Sequence, residues 1–293
     1  MNSIDILTKI YKPYKVSVKG NTKIFNCTNG SYVIKNKKNK DIKELYKYLS
    51  SRSFKYYPKL IEDNRDEVNV FEYVEDNSID SEQKLIDLIN LVSLLHSKTS
   101  YYKEITNDKI KEIYEELLGR VKYMEEYFNN IIYSIEDNVF ISPSGNLLLI
   151  NSNKIFASLN FLKKEIEEWY KISIDSNKMR VALVHNNLEL DHYIKNEEEY
   201  LISWDNYIID SPILDIVKLY KSVYLNMDFS NPLKVYMEKF PLNEDEKKLL
   251  FIMLVMPDEI NLTDNELNNV TITRKYLDYI YKTENLVRPY YSK

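Results

Sequence analysis

Apolar residues near the start of the chain come in short runs, whereas beyond about residue 80 they recur at helical spacing. Tyr14–Val18, Thr22–Cys27 and Ser31–Lys35 are runs of strand length. Gly20-Asn21 and Asn29-Gly30 separate them, and both pairs are turn formers because they accept positive φ. Ahead of these runs, Ile4, Ile6, Leu7 and Ile10 predict a short helix over residues 1–12, ended by Pro13. Lys40 to Ser51 predicts a helix with Ile42, Leu45, Tyr46 and Leu49 on one face. Leu60–Glu62 and Val68–Val74 read as two further strands.

From Ser81 to Ser97 the apolar positions Leu85, Leu88, Ile89, Val92 and Leu95 predict an amphipathic helix. Asp108 to Tyr133 predicts a second, longer one. Asn138–Ile141 and Leu147–Ile150 flank Ser142-Pro143-Ser144-Gly145-Asn146, a turn-rich pentapeptide that predicts a hairpin. Ile155 to Tyr170 is again helical, with Trp169 placed in a packing seam. Near the end, Pro241 to Glu246 opens a helix that runs through Val255 and stops at Pro257, and residues 265–285 add one or two more.

Between these helical regions lies the most distinctive stretch. Val181-Ala182-Leu183-Val184 is a short apolar run followed by a polar loop. Tyr193-Ile194 and Tyr200 to Trp204 are joined by the acidic turn Asn196 to Glu199, which reads as a hairpin. A polar segment with Pro212 then leads into a helix rich in Leu, Ile, Val and Tyr.

This order resembles the catalytic segment of the aminoglycoside-phosphotransferase branch of kinase-fold proteins. That branch carries His-Gly-Asp-x-x-x-x-Asn on its catalytic loop, then Ile-Asp-Trp-Asp/Glu, then Pro-x-x-Asp-Leu/Ile at a helix start. Here His185 matches the His, while Ile202, Trp204 and Asp205 match three of the four strand positions. Pro212 and Asp215 match the last motif. The departures fall where the chemistry is done: Asn187 stands at the catalytic Asp, His192 at the metal-binding Asn and Ser203 at the metal-binding Asp. In phosphoryl transfer a carboxylate orients the acceptor hydroxyl, and Asn and Asp oxygens hold Mg²⁺ on the phosphates. Asn187 can orient a hydroxyl but cannot take its proton, a loss worth roughly 10²–10⁴-fold. His192 offers nitrogen and Ser203 a neutral hydroxyl to an ion that prefers hard oxygen ligands. Asp205, two residues from Ser203 on an extended segment, and Asp191, beside His192, are the carboxylates near enough to stand in. The resemblance makes His185 a hydrogen-bonding brace and Asp215 a structural residue that caps and braces the loop.

The resemblance extends over nearly the whole chain in element order. Three strands, a helix and two strands match a kinase N-lobe. Lys35 then resembles the lysine that reaches ATP phosphates, Glu44 its ion-pair partner, and Glu72-Tyr73-Val74 the hinge whose backbone binds adenine. There is no GxGxxG loop. The helical insert before the catalytic loop and the Pro241-Leu242 region are similar to the spore-coat kinase-like proteins of endospore-forming bacteria.

Composition narrows the partners. The 293 residues carry a formal charge of −5, so bulk electrostatics gives nucleic-acid binding no support. Lys35 to Lys40 is a local basic cluster, read as a solvated loop or a phosphate-facing patch. One cysteine, Cys27, rules out an intramolecular disulfide and suits a reducing compartment. The N-terminus lacks a signal-peptide core, and Leu249 to Met256 is far shorter than the ~20 residues of a membrane span. The expectation is therefore a cytoplasmic protein with no membrane partner, and the resemblance to spore-coat kinase-like proteins adds spore association.

The fold expected is α+β and bilobal, protein-kinase-like in its aminoglycoside-phosphotransferase form, with a small β-rich N-lobe over 1–76 and a large helical C-lobe over 77–293. The function expected is that of a pseudokinase acting by binding, with spore-coat or other proteins as partners. The alternative is an atypical active ATP-dependent phosphotransferase on a small molecule or a coat protein, using Lys35 for phosphates, Asp205 or Asp191 for metal and Asn187 for the acceptor. A third reading is a non-catalytic nucleotide or sugar binder. ATP and Mg²⁺ are the ligands that the resemblance implies for an intact site.

Overall fold

A computed structural model describes residues 3–20, 22–37, 41–61, 67–77 and 79–291. Residues 1–2, Asn21, Lys38 to Lys40, Glu62 and Ser78, which entered the expected first helix, turn, basic cluster, strand end and lobe boundary, lie outside these. So does the side chain of Ile4. In chain order the elements are α1 (Ser3–Tyr11), β1 (Lys15–Lys19), β2 (Thr22–Cys27), β3 (Gly30–Asn36), α2 (Ile42–Ser51), β4 (Leu60–Ile61), β5 (Val68–Glu72) and α3 (Ser81–Thr99). Then follow β6 (Tyr101–Glu104), α4 (Asn107–Glu136), α5 (Pro143–Ser173), β7 (Lys178–Val184), β8 (Tyr193–Lys195), β9 (Glu199–Leu201) and β10 (Ile208–Asp210). Four helices end the chain: α6 (Ile213–Val223), α7 (Ser230–Lys239), α8 (Glu244–Val255) and α9 (Glu266–Val287).

Two compact units emerge, residues 1–99 with 183–208, and 100–182 with 209–293. The division does not fall at 76/77. Helix α3 and the segment 183–208 group with the N-terminal sheet, and the chain crosses between units inside β7 and again after Ile208. Local bonds tie that segment in: Lys195 N–H donates to Asp76 Oδ1 at 3.0 Å, and Lys195 Nζ lies 2.6 Å from Asp87 of α3.

The first unit is built on an antiparallel five-stranded sheet of order β1-β2-β3-β5-β4. Strand alternation assigns its two faces. Phe25, Cys27, Ile34, Val68 and Val70 are buried together with Leu7 of α1. The intervening residues Ile24, Val33 and Lys35 therefore look the other way. Asp41 caps α2, its Oδ1 accepting from Lys43 N–H at 2.8 Å, and Ile42, Leu45, Tyr46 and Leu49 form the buried face as expected. Strands β8 and β9 pair with Tyr193 opposite Leu201, the expected hairpin, but its second strand stops at Leu201 because Ser203 adopts left-handed geometry (φ 66°) and Trp204–Asn206 form a 3₁₀ turn.

In the second unit a small sheet of order β10-β7-β6 accompanies the helices. Val121, Met124 and Phe128 of α4 share a core with Leu148, Ile155, Leu159, Leu162, Ile166 and Trp169 of α5, Ile252 of α8 and Ile280 of α9. The hairpin expected over 138–150 does not form; residues 143–173 are one helix. The reason is its start. Ser142 Oγ accepts from Gly145 N–H at 3.1 Å, and Pro143 occupies the first helical turn, where its missing N–H costs nothing. The same Ser-Pro-Ser-Gly run that suggests a turn is thus an N-cap. Strands β6 and β10 and helix α7 lack strong patterning and were not anticipated.

Tyrosines line this second core. Tyr220 and Tyr279 rings lie 5.7 Å apart; the Tyr220 hydroxyl is 2.9 Å from Thr283 Oγ1, and the Tyr279 hydroxyl donates to Leu254 O at 2.6 Å. Burial raises both phenols, Tyr220 to about 12 and Tyr279 further. A folded-state pKa raised above 10 leaves stability intact below pH 10 and removes it as pH climbs through 12. Chemical denaturation between pH 9 and 12 is expected to show that loss, with about 2–3 kcal/mol from Tyr220 alone; Tyr220→Phe should flatten the curve by that share, and an unchanged slope would contradict the assignment.

Candidate functional site

The main cavity of the first unit, about 470 Å³, lies within the size range of small-molecule sites. It is walled by the sheet face that alternation turns away from the core, by the strand end Phe71 to Val74, and by residues 189–205. Ile24 and Val33 from the sheet, with Ile194 and Ile202 from the hairpin region, supply apolar surface. Glu72, Tyr73 and Val74, expected at the hinge, all line it. Glu72 N–H donates to Lys59 O and Tyr73 N–H to Ser31 O.

Lys35 enters the cavity because Ile34 faces the core. Its Nζ lies 3.1 Å from Ser203 Oγ and 3.5 Å from Asp205 Oδ2. The expected partner Glu44 is not used: it is an exposed first-turn residue of α2 whose charge, with that of Asp41, raises the Tyr207 phenol after burial has done so. The carboxylate that meets Lys35 is 170 residues away in sequence. Ser203 and Asp205 reach it through a left-handed residue and a 3₁₀ turn, not along the extended segment expected. Next to them, Tyr46 stacks on Tyr57 at 4.0 Å, and its phenol is raised by burial, then by the charges of Tyr57 and Asp205.

The loop after Val184 is braced rather than open. His185 is fully buried; a carbonyl can only accept, so its Nε2–H donates to Ile202 O at 2.7 Å, and its ring meets Trp204 edge-on at 4.9 Å. Trp204 Nε1–H donates to Leu201 O, and Asn186, at φ 58°, donates through Nδ2 to Asn206 O. Asn187 is half-buried, does not line the cavity, and its carbonyl accepts from His192 Nδ1–H at 2.5 Å. His192 does line the cavity, with only Nε2 left to face a ligand. Asp215 sits in the second unit, fully buried in the first turn of α6; Pro212, not Asp215, holds the cap position.

At positions 203 and 205 the oxygens that a magnesium ion would need are engaged by Lys35. Among the described residues no group of three His, Cys, Asp or Glu side chains could hold a metal. The oxygens of Ser203 and Asp205 instead share an ammonium, and His192 has committed Nδ1 to a carbonyl. Charge in the cavity wall is unbalanced: Lys19, Lys35 and Lys84 stand against Glu72, Asp76, Glu189, Asp191 and Asp205, three against five, with His192 counted neutral. Lys84 is already paired with Asp76 at 2.8 Å and Lys35 with Asp205. Sequence reasoning missed Lys19, Tyr46 and Lys84; the alternation of β1 and the face of α2 carried a signal for the first two.

No protein-family model matches this chain, and no curated protein matches it in sequence. Solved structures do. An aminoglycoside phosphotransferase from Alicyclobacillus acidocaldarius is similar over 94% of this chain and 91% of its own, with a TM-score of 0.72 at 10% identity. The fold is that of the aminoglycoside phosphotransferases. Spectinomycin phosphotransferase is similar in its complex with ADP and spectinomycin (TM-score 0.55, 12% identity, 98% of each chain) and in its AMP complex (0.54, 12%, 99% of this chain and 94% of that one). This aminoglycoside-phosphotransferase fold combines a small antiparallel sheet with a large helical part. Among the described residues no helix is long and apolar enough to cross a membrane.

Proposed function

We propose that this chain is a pseudokinase, a phosphotransferase fold that acts by binding and not by transfer. The observation that carries the reading is the Lys35 ammonium bonded to Ser203 and Asp205, where an active enzyme needs oxygens free for a dication. Asn187 at the base position supports it, since an amide accepts no proton from an acceptor hydroxyl. What the fold keeps is the cavity, with apolar walls, and that supports ligand binding. Partners are then proteins, with spore-coat proteins the first class to test on the sequence resemblance, in the cytoplasm or the spore.

A second reading draws on Asp205 and Asp191, which line the cavity and would supply carboxylates to an atypical active phosphotransferase. One assay separates the two. Incubated with Mg-ATP, alone or with aminoglycosides and candidate protein acceptors, the protein is expected to release phosphate no faster than the uncatalysed background. Turnover that vanishes in Asp205→Asn or Asp191→Asn would establish the active enzyme instead.

A further inference from the structure

We propose that the cavity of the first unit selects an uncharged nucleoside over its phosphorylated forms, without a metal ion, Lys35 serving as the counter-ion of Asp205 and not as a phosphate ligand. The inference deepens the non-transferring reading and rests on it. Three observations carry it. The walls offer apolar side chains on both the sheet and the hairpin side, Val33 and Ile202 among them, suited to a flat ring. The cationic side chains are mostly spent, Lys35 on Asp205 and Lys84 on Asp76. The remaining carboxylates Glu72, Glu189 and Asp191 outnumber Lys19, so the wall repels anions.

In an active phosphotransferase that repulsion is cancelled by dications bridging the phosphates. Here Asp205 is engaged by Lys35 and His192 Nδ1 by Asn187 O, so each phosphate added to a nucleoside brings charge that the wall does not neutralise. A phosphate could reach Lys35 only by drawing it from Asp205, leaving that carboxylate facing the same phosphate.

Calorimetric titration of the full chain tests this with adenosine, guanosine, cytidine and uridine, and with AMP, ADP and ATP, each in EDTA and in millimolar Mg²⁺. At least one nucleoside should bind, its triphosphate should bind about 100-fold more weakly in EDTA, and Mg²⁺ should change the nucleoside affinity less than twofold. In Asp205→Asn, which releases Lys35, the ratio of monophosphate to nucleoside affinity should rise about tenfold. Tighter binding of ATP than of nucleoside, or binding only with Mg²⁺, overturns the proposal. So does the absence of nucleoside binding at millimolar concentration. None of these outcomes touches the non-transferring reading, which falls only if phosphate is turned over. The wild-type ranking alone decides the matter if Asp205→Asn does not fold.

Discussion

Changing Arg180 to Met is expected to destabilise the protein by about 3–5 kcal/mol. Arg180 Nε and Nη2 lie 2.8 and 2.5 Å from the two oxygens of Glu246, whose side chain is only 5% exposed. The same guanidinium donates to Pro241 O at 2.7 Å and covers the Phe240 ring at 4.1 Å. Glu246 also accepts from Asn243 N–H at 2.8 Å in the capping box that begins α8. Removing Arg180 therefore strands a buried carboxylate that cannot turn to water without opening the cap. The cost comes mostly from that stranded charge and only partly from the lost attraction, so Arg180→Met with Glu246→Gln should recover a good part of it. At roughly 2–4 °C per kcal/mol, the single variant should melt on the order of 10 °C lower. A calorimetric melting temperature within 2 °C of wild type would show that the pair is solvated and unimportant.

Restoring Asn187→Asp, His192→Asn and Ser203→Asp together is expected to bring Mg²⁺-dependent ATP hydrolysis at least ~100-fold above the wild-type background, the lower end of what a positioned base supplies. The three changes are coupled. An Asp at 187 regains a proton acceptor, but without a dication the developing charge on the phosphates stays unscreened, so Asn187→Asp alone should remain at background. Ser203→Asp returns a hard oxygen ligand next to Asp205, and a carboxylate there competes for Lys35 and then for the metal. Position 203 tolerates Asp because short polar side chains accept its left-handed backbone. Phosphate release is the measurement, with a melting curve to show that the triple variant folds. A folded triple variant that stays at background would mean that the frame has lost more than these three groups.

Local pattern carried much of this protein. Strand geometry puts Ile34 and Lys35 on opposite faces, but Tyr32-Val33-Ile34 is apolar throughout, so the resemblance singled out Lys35 and burial of Ile34 settled which face is inward. The helix faces of α2, α3, α4 and α5 followed from spacing. The likeness of the 185–215 segment to phosphotransferases also pointed to the right fold at 10–12% identity to its solved neighbours, because its motif residues are held by backbone geometry that few sequences satisfy. Where pattern failed, two local readings competed. Ser142-Pro143-Ser144-Gly145 satisfies both a turn and a helix cap, and the cap prevails where Leu148, Ile155 and Leu159 are buried with residues of α4 and α9. Strands β6 and β10, at four and three residues, are too short for a period to show.

By itself, then, the sequence determined which side chains share a helix face, and that Asn187, His192 and Ser203 stand where the phosphotransferase motifs it resembles carry Asp, Asn and Asp. Those properties are read from neighbours a few residues apart. Only the tertiary structure decided which carboxylate Lys35 meets. Glu44, nine residues along, stays exposed on its helix, while Asp205 is brought within 3.5 Å by a fold that closes 170 residues of chain. Ion pairing depends on distance in space and on shielding from water, and neither quantity is written in sequence separation.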